Sequence, residues 1–235
     1  MRPIDRRFTF VEETLHGAPP GHFEYEQWID WKSGTENDSG YTRFDFKHEL
    51  EYGLSETVHL AVDLAEWHYE DSATTQATKF DATGVELKVR LSDPRTDLLG
   101  FGVKTELEFG SRELEWKNTL LVDKVVDRWE FAYNFQLTTA FEGEKTFEYE
   151  ESEGEIRNTF GISRELDPTR YLGAELAWEI PLPDWETGAT QNVYLGPNFA
   201  YHGHEWALGA TPMFLLSGDD DEPSFVLRLI FELDF

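Results

Sequence analysis

The sequence predicts an all-β fold, a transmembrane, antiparallel, up-and-down β-barrel of about 12 strands. Three observations predict it. Apolar and polar residues alternate in one segment after another, as in strands that have one apolar face. The links between these segments are alternately short and long. The chain of 235 residues carries a net charge of −27 and yet has 15% aromatic residues, so its apolar faces need cover.

The C-terminal segment "SFVLRLIFELDF" shows the alternation most clearly. Its odd-numbered positions from Phe225 to Phe235 are all apolar, whereas Arg228 and Glu232 stand at even positions. Successive side chains of a strand point to opposite faces, so this strand has one apolar and one largely charged face. The same parity predicts strong strands at 43–54, 84–91, 99–109, 112–122 and 129–137, and less regular strands at 23–31, 57–69, 155–166, 171–180, 191–202 and 205–216. Pro197 and Pro212 lie inside the last two, and because proline has no backbone N–H they predict bulges or local breaks.

The links between the predicted strands alternate in length. Short links such as "GLSE" and "HGHE" follow the even-numbered strands. Longer and more acidic links such as "KSGTENDSG" and "EGEKTFEYEESEGE" follow most of the odd-numbered ones. Short turns at one rim and long loops at the other are typical of transmembrane barrels with both termini on the short-turn side.

The apolar faces are predicted to point outward, toward lipid. A soluble barrel has the same alternation with its apolar face inside, so the choice depends on which face fits the interior. The apolar parity is too aromatic for the centre of a small barrel, aromatic residues concentrate near strand ends, and small residues recur where curvature and closure call for glycine. The aromatic residues are Phe44, Phe46, Phe101, Phe109, Trp116, Trp129, Phe131, Tyr133 and Phe135, and the small ones are Gly100, Gly102, Gly173, Ala174, Gly196 and Gly209. We therefore expect lipid to cover one face of each strand and the lumen to wet the other.

The charged parity then lines the lumen. A barrel of about 12 strands is wider than the eight-stranded kind that side chains fill and narrower than the 16-stranded porins, which predicts a narrow passage. Acidic residues outnumber basic ones on this parity, so a conducting lumen would favour cations. The alternative is that neighbouring charges neutralise one another and close the interior. The predicted lumen-lining residues are Arg43, Asp45, Lys47, Glu49, Glu86, Lys88, Arg90, Lys104, Glu106, Glu115, Lys117, Glu130, Glu175 and Arg228.

Residues 1–20 precede the first predicted strand and form a segment separate from the barrel, which is predicted to span residues 21–235. The segment "RPIDRRFTFVEETLHGAPPG" has cationic, apolar and turn-forming parts. It could enter the lumen as a plug, where Arg2, Arg6 and Arg7 would meet carboxylates, or remain a loose periplasmic tail. The sequence leaves both alternatives open.

Composition excludes several classes of function. The chain has no cysteine, which removes disulfides, thiol chemistry and cysteine-containing metal sites. The charge of −27 disfavours nucleic acid, because phosphate binding depends on Lys and Arg. There is no apolar run of about 18 residues and no apolar region of a secretory signal, so the protein either stays inside or is a mature chain. Without a P-loop, a dinucleotide fingerprint or a nucleophile elbow, we predict no cofactor.

Two groups of residues are candidates for a catalytic or a metal-binding site, and neither has the spacing that such a site needs. His48 and Asn118 lie on the outward parity, as in outer-membrane phospholipases that use Ser, His and Asn. Their strands are four spacings of about 4.8 Å apart, and no suitable outward Ser accompanies them. The turn "HGHE" and the acidic loops lack the ordered spacing of a metal site. We therefore predict no catalytic and no metal-binding residues.

The end of the chain, from Arg228 through Phe231 and Leu233 to the terminal Phe235, resembles the C-terminal signal that the barrel-assembly machinery reads in Gram-negative outer-membrane β-barrel proteins. Those proteins often have glycine where this chain has Ile230. The stretch "VYLGPNFAYHGHEWALGATP" is similar to uncharacterised porin-like barrels of this class. The resemblance implies a bacterial outer-membrane location, contacts with outer-membrane lipid and lipopolysaccharide, and the barrel-assembly machinery as a partner. It implies a fold and no particular activity.

The favoured hypothesis for function is a small porin-like channel with an acidic lumen that mildly prefers cations, so that small cations or solutes would pass through it. The alternative is a non-conducting structural or interaction barrel that displays acidic extracellular loops, as a subunit of a larger outer-membrane complex. A third reading is a soluble lipid-binding barrel, which would bury Phe101 and Trp116 inward. A lumen closed by side chains or by residues 1–20 would favour the second hypothesis.

Overall fold

The computed structural model describes residues 6–143 and 151–235, and this part of the chain is almost entirely β-strand, as predicted. The described residues form thirteen strands and a short 3₁₀ turn at Pro183–Trp185. The strands are β1 (Phe23–Ser33), β2 (Thr42–Gly53), β3 (Val58–Asp71), β4 (Gln76–Phe80), β5 (Ala82–Arg90), β6 (Gly100–Gly110), β7 (Glu113–Val126), β8 (Trp129–Glu142), β9 (Glu151–Asp167), β10 (Arg170–Leu182), β11 (Asn192–His202), β12 (Trp206–Ser217) and β13 (Phe225–Asp234). No helix in the described ranges is both long and apolar enough to cross a membrane.

The strands form one closed antiparallel barrel. Consecutive strands pair from β5 to β13, β13 pairs with β1, β1 with β2 and β2 with β3, which closes the sheet on itself. Both β4 and β5 pair with β3, β4 along residues 67–71 and β5 along residues 58–63. Together they fill one strand position that is interrupted at Asp81. The barrel therefore has 12 strand positions, which confirms the predicted fold.

The strand register is irregular at several places in the described barrel, two of which bear on the predictions or on the shape of the wall. Pro197 in β11 stands opposite Pro212 in β12, and the ladder between these fully described strands is interrupted there, as the two prolines predict. The second irregularity was not predicted. Between His48 and Glu49 of β2 the register with β3 shifts by one residue, which makes Leu64 the extra residue of a bulge. This bulge lies beside the interruption between β4 and β5.

The apolar parity faces outward and the charged parity faces the lumen. In β6, Lys104 and Glu106 are 5% and 2% exposed, whereas Phe101 and Val103 on the other parity are 39% and 44% exposed. Most of the other strands show the same contrast, whereas β4 is exposed along most of its length and the first half of β2 is half-buried on both parities. Trp116 is exposed as well, so the prediction of a soluble barrel with Phe101 and Trp116 inside is wrong. The exterior is an apolar surface of the kind that a bilayer covers.

Both ends of the barrel chain lie at the rim with the shorter links. Phe23 at the start of β1 and the terminal Phe235 exchange two backbone hydrogen bonds of 3.1 and 3.0 Å. The links at this rim are residues 54–57, 91–99, 127–128, 168–169 and 203–205, and those at the opposite rim are residues 34–41, 72–75, 111–112, 143–150, 183–191 and 218–224. Most of the predicted acidic loop "EGEKTFEYEESEGE" lies outside the described residues, because these stop at residue 143 and resume at residue 151.

Leu120→Arg tests the outward orientation. Leu120 lies near the middle of β7 on the outer face, where arginine would enter hydrocarbon. We expect the free energy of unfolding in lipid vesicles, measured by urea titration, to fall by about 2–4 kcal/mol. Leu98→Arg is the control, because Leu98 lies in a link and is 89% exposed. The control should change stability by less than about 1 kcal/mol, and equal losses at both positions would contradict a lipid-facing exterior.

Candidate functional site

The described part of the N-terminal segment lies inside the barrel, and Arg2 lies outside the described residues. Residues 6–18, which we call the plug, are surrounded by wall, and Phe8 and Ala18 are each 1% exposed. Both plug ends lie near the short-link rim. His202 at the end of β11 donates from Nε2 to the carbonyl of Arg6 at 2.6 Å, and the N–H of Ala18 donates to Glu51 of β2 at 2.6 Å. The plug is therefore a loop that enters and leaves from the same rim.

One carboxylate holds the turn of the plug. Glu175 of β10 is 1% exposed and accepts hydrogen bonds from the backbone N–H groups of Thr9, Phe10 and Val11 at 3.0, 2.6 and 2.7 Å. The hydroxyl of Thr211 in β12 donates to the same carboxylate at 2.7 Å. Successive amides directed at one anion form a nest, and hydrogen bonds to a charged acceptor are strong. Glu175 thus takes the place of a strand partner for these amides.

Side chains of β7 and β8 bind the returning limb of the plug. Asn134 of β8 accepts a hydrogen bond from the N–H of Glu13 at 3.2 Å and donates to the carbonyl of the same residue at 2.9 Å. Asp123 of β7 accepts the N–H of Leu15 at 2.5 Å. Buried backbone groups that have no strand neighbour need such partners. The plug is therefore bound through its main chain, without adding a strand to the sheet.

Arg7 is fixed through both its backbone and its side chain. Asn198 of β11 donates to the carbonyl of Arg7 at 2.5 Å. The Arg7 guanidinium lies over the ring of Tyr171, 4.6 Å from the centroid, and its Nε is 2.9 Å from the fully buried carboxylate of Glu130 in β8. His16 Nε2 lies 3.4 Å from the same carboxylate. Glu130 therefore connects both limbs of the plug to the wall.

Apolar side chains of the plug fill niches in the lumen wall. Phe10 belongs to a buried cluster with Ala177, Tyr194, Met213 and Val226, and Phe8 and Val11 pack against Ala132. These wall residues come from strands β8, β10, β11, β12 and β13. Burial of an aromatic or aliphatic side chain contributes about 1.5–3 kcal/mol. The apolar contacts therefore add to the polar ones in holding the plug.

Inward-facing glycines make room for the plug. A Cβ added to Gly161 would lie 2.5 Å from Phe8, and one added to Gly209 would lie 2.8 Å from Thr9. A Cβ on Gly100 would lie 2.5 Å from a methyl group of Leu15. Sequence analysis interpreted glycines of this kind as sites of curvature and missed this second use. The signal that could have shown it is that these glycines lie on the strand face that carries the charged residues and points into the lumen.

Glu12 lies at the turn of the plug and meets two arginines. Arg157 of β9 and Arg228 of β13 approach one of its carboxylate oxygens at 2.5 and 3.0 Å. Arg228 also binds both oxygens of Asp30 in β1, at 2.8 and 2.6 Å. A bidentate arginine–carboxylate contact fixes orientation as well as distance. The turn is therefore tied to strands on both sides of the β1–β13 seam.

Glu13 meets two lysines from the opposite wall. Lys88 of β5 lies 2.8 Å from one oxygen of Glu13 and 2.9 Å from Glu51. Lys104 of β6 lies 3.8 Å from the other oxygen of Glu13 and 2.8 Å from Glu86. We call these five residues the ion-pair layer. It spans from the plug to the wall formed by β2, β5 and β6.

In the described part of the chain two larger cavities lie in the lumen, one on each side of the ion-pair layer, besides a small pocket of about 10 Å³ between the plug and strands β6 to β9. The inner cavity, toward the short-link rim, has a volume of about 350 Å³ and is lined by Glu13, Lys88 and the ends of the plug. The outer cavity, toward the long-link rim, has a volume of about 380 Å³ and is lined by Glu12, Lys104 and residues of β1, β2, β3, β6, β7 and β13. The lumen is therefore divided rather than filled.

The structure brings the predicted lumen-lining residues together around the plug and the cavities. Arg43, Asp45, Lys47, Glu49, Lys104, Glu106, Glu115, Lys117 and Arg228 line the outer cavity, and Lys88 and Arg90 line the inner one. Glu86 pairs with Lys104, while Glu130 and Glu175 bind the plug. Sequence reasoning missed the plug residues Glu12 and Glu13, because an irregular segment has no parity that assigns its side chains to a face.

The residues named for other roles lie on the outer face. Phe231, Leu233 and Phe235, which resemble an assembly signal, are exposed on β13 and at its end, and their recognition stays a prediction. His48 bonds the hydroxyl of Tyr25 at 2.8 Å. Asn118 lies on another strand and accepts a hydrogen bond from Thr105 at 3.1 Å. His48 and Asn118 therefore belong to separate polar groups.

The acidic link 218–224 is held by hydrogen bonds at the long-link rim. Asn37 donates to Asp221 at 2.8 Å, and the Tyr194 hydroxyl donates to Glu222 at 2.9 Å. Partial burial raises the pKa of Glu222, and the Tyr194 contact opposes this effect. At the other rim, hydrogen bonding to the backbone N–H of Arg95 lowers the pKa of Asp93. The link 218–224 is thus an ordered part of the rim.

Comparison with known proteins identifies a family and a shared fold. A family model described as "Family of unknown function (DUF6662)" matches residues 5–225. No curated protein matches the chain. The COG4313 outer membrane channel from Pseudomonas putida F1 is similar with a TM-score of 0.68 and 11% identity over 94% of this chain and 98% of that one. The NanC porin (TM-score 0.60, 8% identity, 90% and 98% covered) and the KdgM porin (0.58, 12%, 90% and 99%) are also similar, and they have the same type of barrel.

Glu175→Ala tests the anchor of the plug. The change leaves three plug amides without their acceptor. We expect amide hydrogen exchange at residues 9–11, measured by mass spectrometry, to accelerate by about 100-fold, because hydrogen bonds to a charged group contribute about 1.5–3 kcal/mol each. Glu115→Ala is the control, since Glu115 pairs with Lys117 away from these amides. Unchanged exchange in Glu175→Ala would show that the anchor is not needed.

Gly161→Ala tests whether the wall glycines are shaped for the plug. The added methyl group would press on Phe8, so we expect a loss of about 1–3 kcal/mol in the free energy of unfolding. Combining it with Phe8→Leu should recover part of this loss, because the clash is relieved. The control pair is Gly161→Ala with Phe10→Leu, which changes a different niche. Additive losses within about 0.5 kcal/mol in both pairs would contradict the contact.

Proposed function

The chain belongs to the DUF6662 family of unknown function, and we propose that it is an outer-membrane channel for small cations. A closed barrel with an apolar exterior supports the outer-membrane location. The barrel has the fold of the COG4313 channel and of the NanC and KdgM porins, which supports a channel. A shared fold does not specify a solute, so the proposed preference for cations rests on the lumen.

The charge of the outer cavity is the observation that carries the cation proposal. Among the described residues that line it, ten are acidic and six are basic. Each of the six basic residues has a carboxylate partner, so an anion would have to compete with an existing ion pair. Because the acidic residues outnumber the basic ones, the lining keeps an excess of negative charge for a cation to meet. An acidic lining of this kind favours cations over anions.

The volumes of the cavities limit the size of the solute. The outer cavity holds about 380 Å³ and the inner one about 350 Å³. A water molecule takes about 30 Å³ of liquid, so each cavity has room for a small hydrated ion with several waters. Large solutes do not fit beside the plug. The proposal is therefore a channel for small cations rather than a general porin.

A non-conducting barrel is the second candidate, and the plug is the observation that favours it. Glu175, Glu130 and Asn134 all bind plug residues, and the ion-pair layer separates the two cavities. If this layer never opens, the barrel passes no ions. The ordered acidic link 218–224 would then be a surface for a partner at the long-link rim.

Recording in planar bilayers decides between the two candidates. For the full chain under a KCl gradient, we expect discrete conductance steps and a reversal potential displaced toward that of K⁺. Replacing two carboxylates of the outer cavity, Glu66→Gln with Glu115→Gln, should move the reversal potential toward zero, because the lining loses negative charge.

Glu205→Gln is the matched control, because Glu205 is exposed in the link 203–205 and lines neither cavity. Its reversal potential should equal that of the wild type. Absence of steps in the wild type would favour the non-conducting barrel. Steps with anion preference would refute the cation proposal and leave the channel intact.

A further inference from the structure

The anchors of the plug lie on one arc of the wall. The side chains that bind its backbone come mostly from β7 to β12, and its apolar residues fill niches in the same region. The residues that bind the backbone are Asp123, Asn134, Glu175 and Asn198, and those that contact its apolar side chains include Ala132 and Tyr194. The plug is therefore fastened mainly to this side of the lumen, with further backbone hydrogen bonds to Glu51 of β2 and Arg228 of β13.

The shape of the lumen wall on that side is also complementary to the plug. Gly161 and Gly209 leave space that Phe8 and Thr9 occupy. Removing the plug would leave Glu175, which is 1% exposed, without its three amide donors. A buried carboxylate without its hydrogen bonds is costly, and so are empty apolar niches. These two costs oppose any opening in which the plug leaves the barrel.

The open space lies on the other half of the lumen. The outer cavity is bounded by Trp28, Lys47 and Glu66 of β1, β2 and β3, and the inner one by His59 and Lys88 of β3 and β5. Both cavities touch the plug on one side. A solute that passes from one cavity to the other must therefore move between the plug and this wall, through the ion-pair layer.

The two lysines of the layer can change partners without losing all charge compensation. Lys88 lies 2.9 Å from Glu51 as well as 2.8 Å from Glu13, and Lys104 lies 2.8 Å from Glu86. Each lysine already contacts a wall carboxylate, so it can release the plug and stay paired. Such a movement keeps both lysines compensated and leaves the charge of Glu13 to be compensated by the passing cation. Glu13 is the plug residue that both lysines would release.

Building on the proposed channel function, we propose that the plug stays in place during conduction and that Glu13, Lys88 and Lys104 form the gate. The gate is closed when the lysines bridge from the wall to Glu13, as in this structure. It opens when they release Glu13 and stay paired with Glu51 and Glu86 alone. The passing ion then moves along Glu13, so this residue also contributes to the cation preference.

A disulfide between plug and wall tests whether the plug stays in place. The chain has no cysteine, so Thr9→Cys with Gly209→Cys introduces a single pair. A Cβ at Gly209 would lie 2.8 Å from Cγ2 of Thr9, which is compatible with the separation of about 3.5–4.5 Å between the Cβ atoms of a disulfide. We expect the oxidised and the reduced protein to conduct within about twofold of each other. The two single-cysteine variants are the controls for oxidant and reductant.

Glu13→Gln tests the gate itself. The amide removes the charge that both lysines hold on the plug, so we expect the open probability to rise by about tenfold, the change that corresponds to about 1.4 kcal/mol. The cation preference should fall at the same time. Glu36→Gln is the matched control, because Glu36 is exposed in the link 34–41. If Glu13→Gln does not refold, as judged by circular dichroism, Lys104→Gln removes one bridge from the wall side and should raise the open probability too.

The outcomes separate this proposal from the channel proposal. A wild type without conductance steps refutes the channel and the gate together. If conductance disappears when the Thr9→Cys/Gly209→Cys disulfide forms and returns on reduction, the plug has to move during conduction. This result would overturn the proposal of a fixed plug. If the disulfide variant conducts but neither Glu13→Gln nor Lys104→Gln changes the open probability, the gate proposal is overturned and the channel proposal stands. The proposal is supported if the oxidised Thr9→Cys/Gly209→Cys variant still conducts and Glu13→Gln has a higher open probability than the wild type.

Discussion

The structure depends on one constraint: each residue of a membrane-crossing strand faces either lipid or lumen, and its backbone must be fully paired. A register shift of one residue would exchange the two faces. This constraint explains how a chain with a net charge of −27 presents an apolar exterior. In β6 it places Lys104 and Glu106 inside while Phe101 and Val103 point outward. It also collects charges in a narrow interior, where each needs a partner.

The plug supplies many of those partners. Arg6 pairs with Glu26 and Glu232, Arg7 with Glu130, Glu12 with arginines and Glu13 with lysines of the wall. Glu175 has no basic partner among these contacts and is satisfied by amides and hydroxyls alone. A wall carboxylate and the main chain of the plug therefore depend on each other. The lumen and the N-terminal segment are one electrostatic unit.

The sequence predicts the strands and their orientation because both follow from a local period of two residues. It does not decide the place of residues 1–20, because the contact between Thr9 and Glu175 joins distant parts of the chain and leaves no period. Nor does it reveal the interruption at Asp81, which lies beside the bulge at Leu64 on the neighbouring strand. The lumen-facing position of several glycines could have predicted the plug, because a glycine on that face leaves a depression that another segment can fill.

The number of strands explains why the barrel has room for a plug and why cavities remain beside it. A barrel of eight strands is filled by its own side chains, and one with 16 strands holds an aqueous pore. Twelve strands enclose more space than the wall side chains fill. A plug fastened to one arc takes up part of this surplus, and the remainder becomes the two cavities along the other arc. The layer between the two cavities consists of charged rather than apolar groups. Opening such a layer requires side chains to exchange partners, whereas the barrel and its anchored plug can remain as they are.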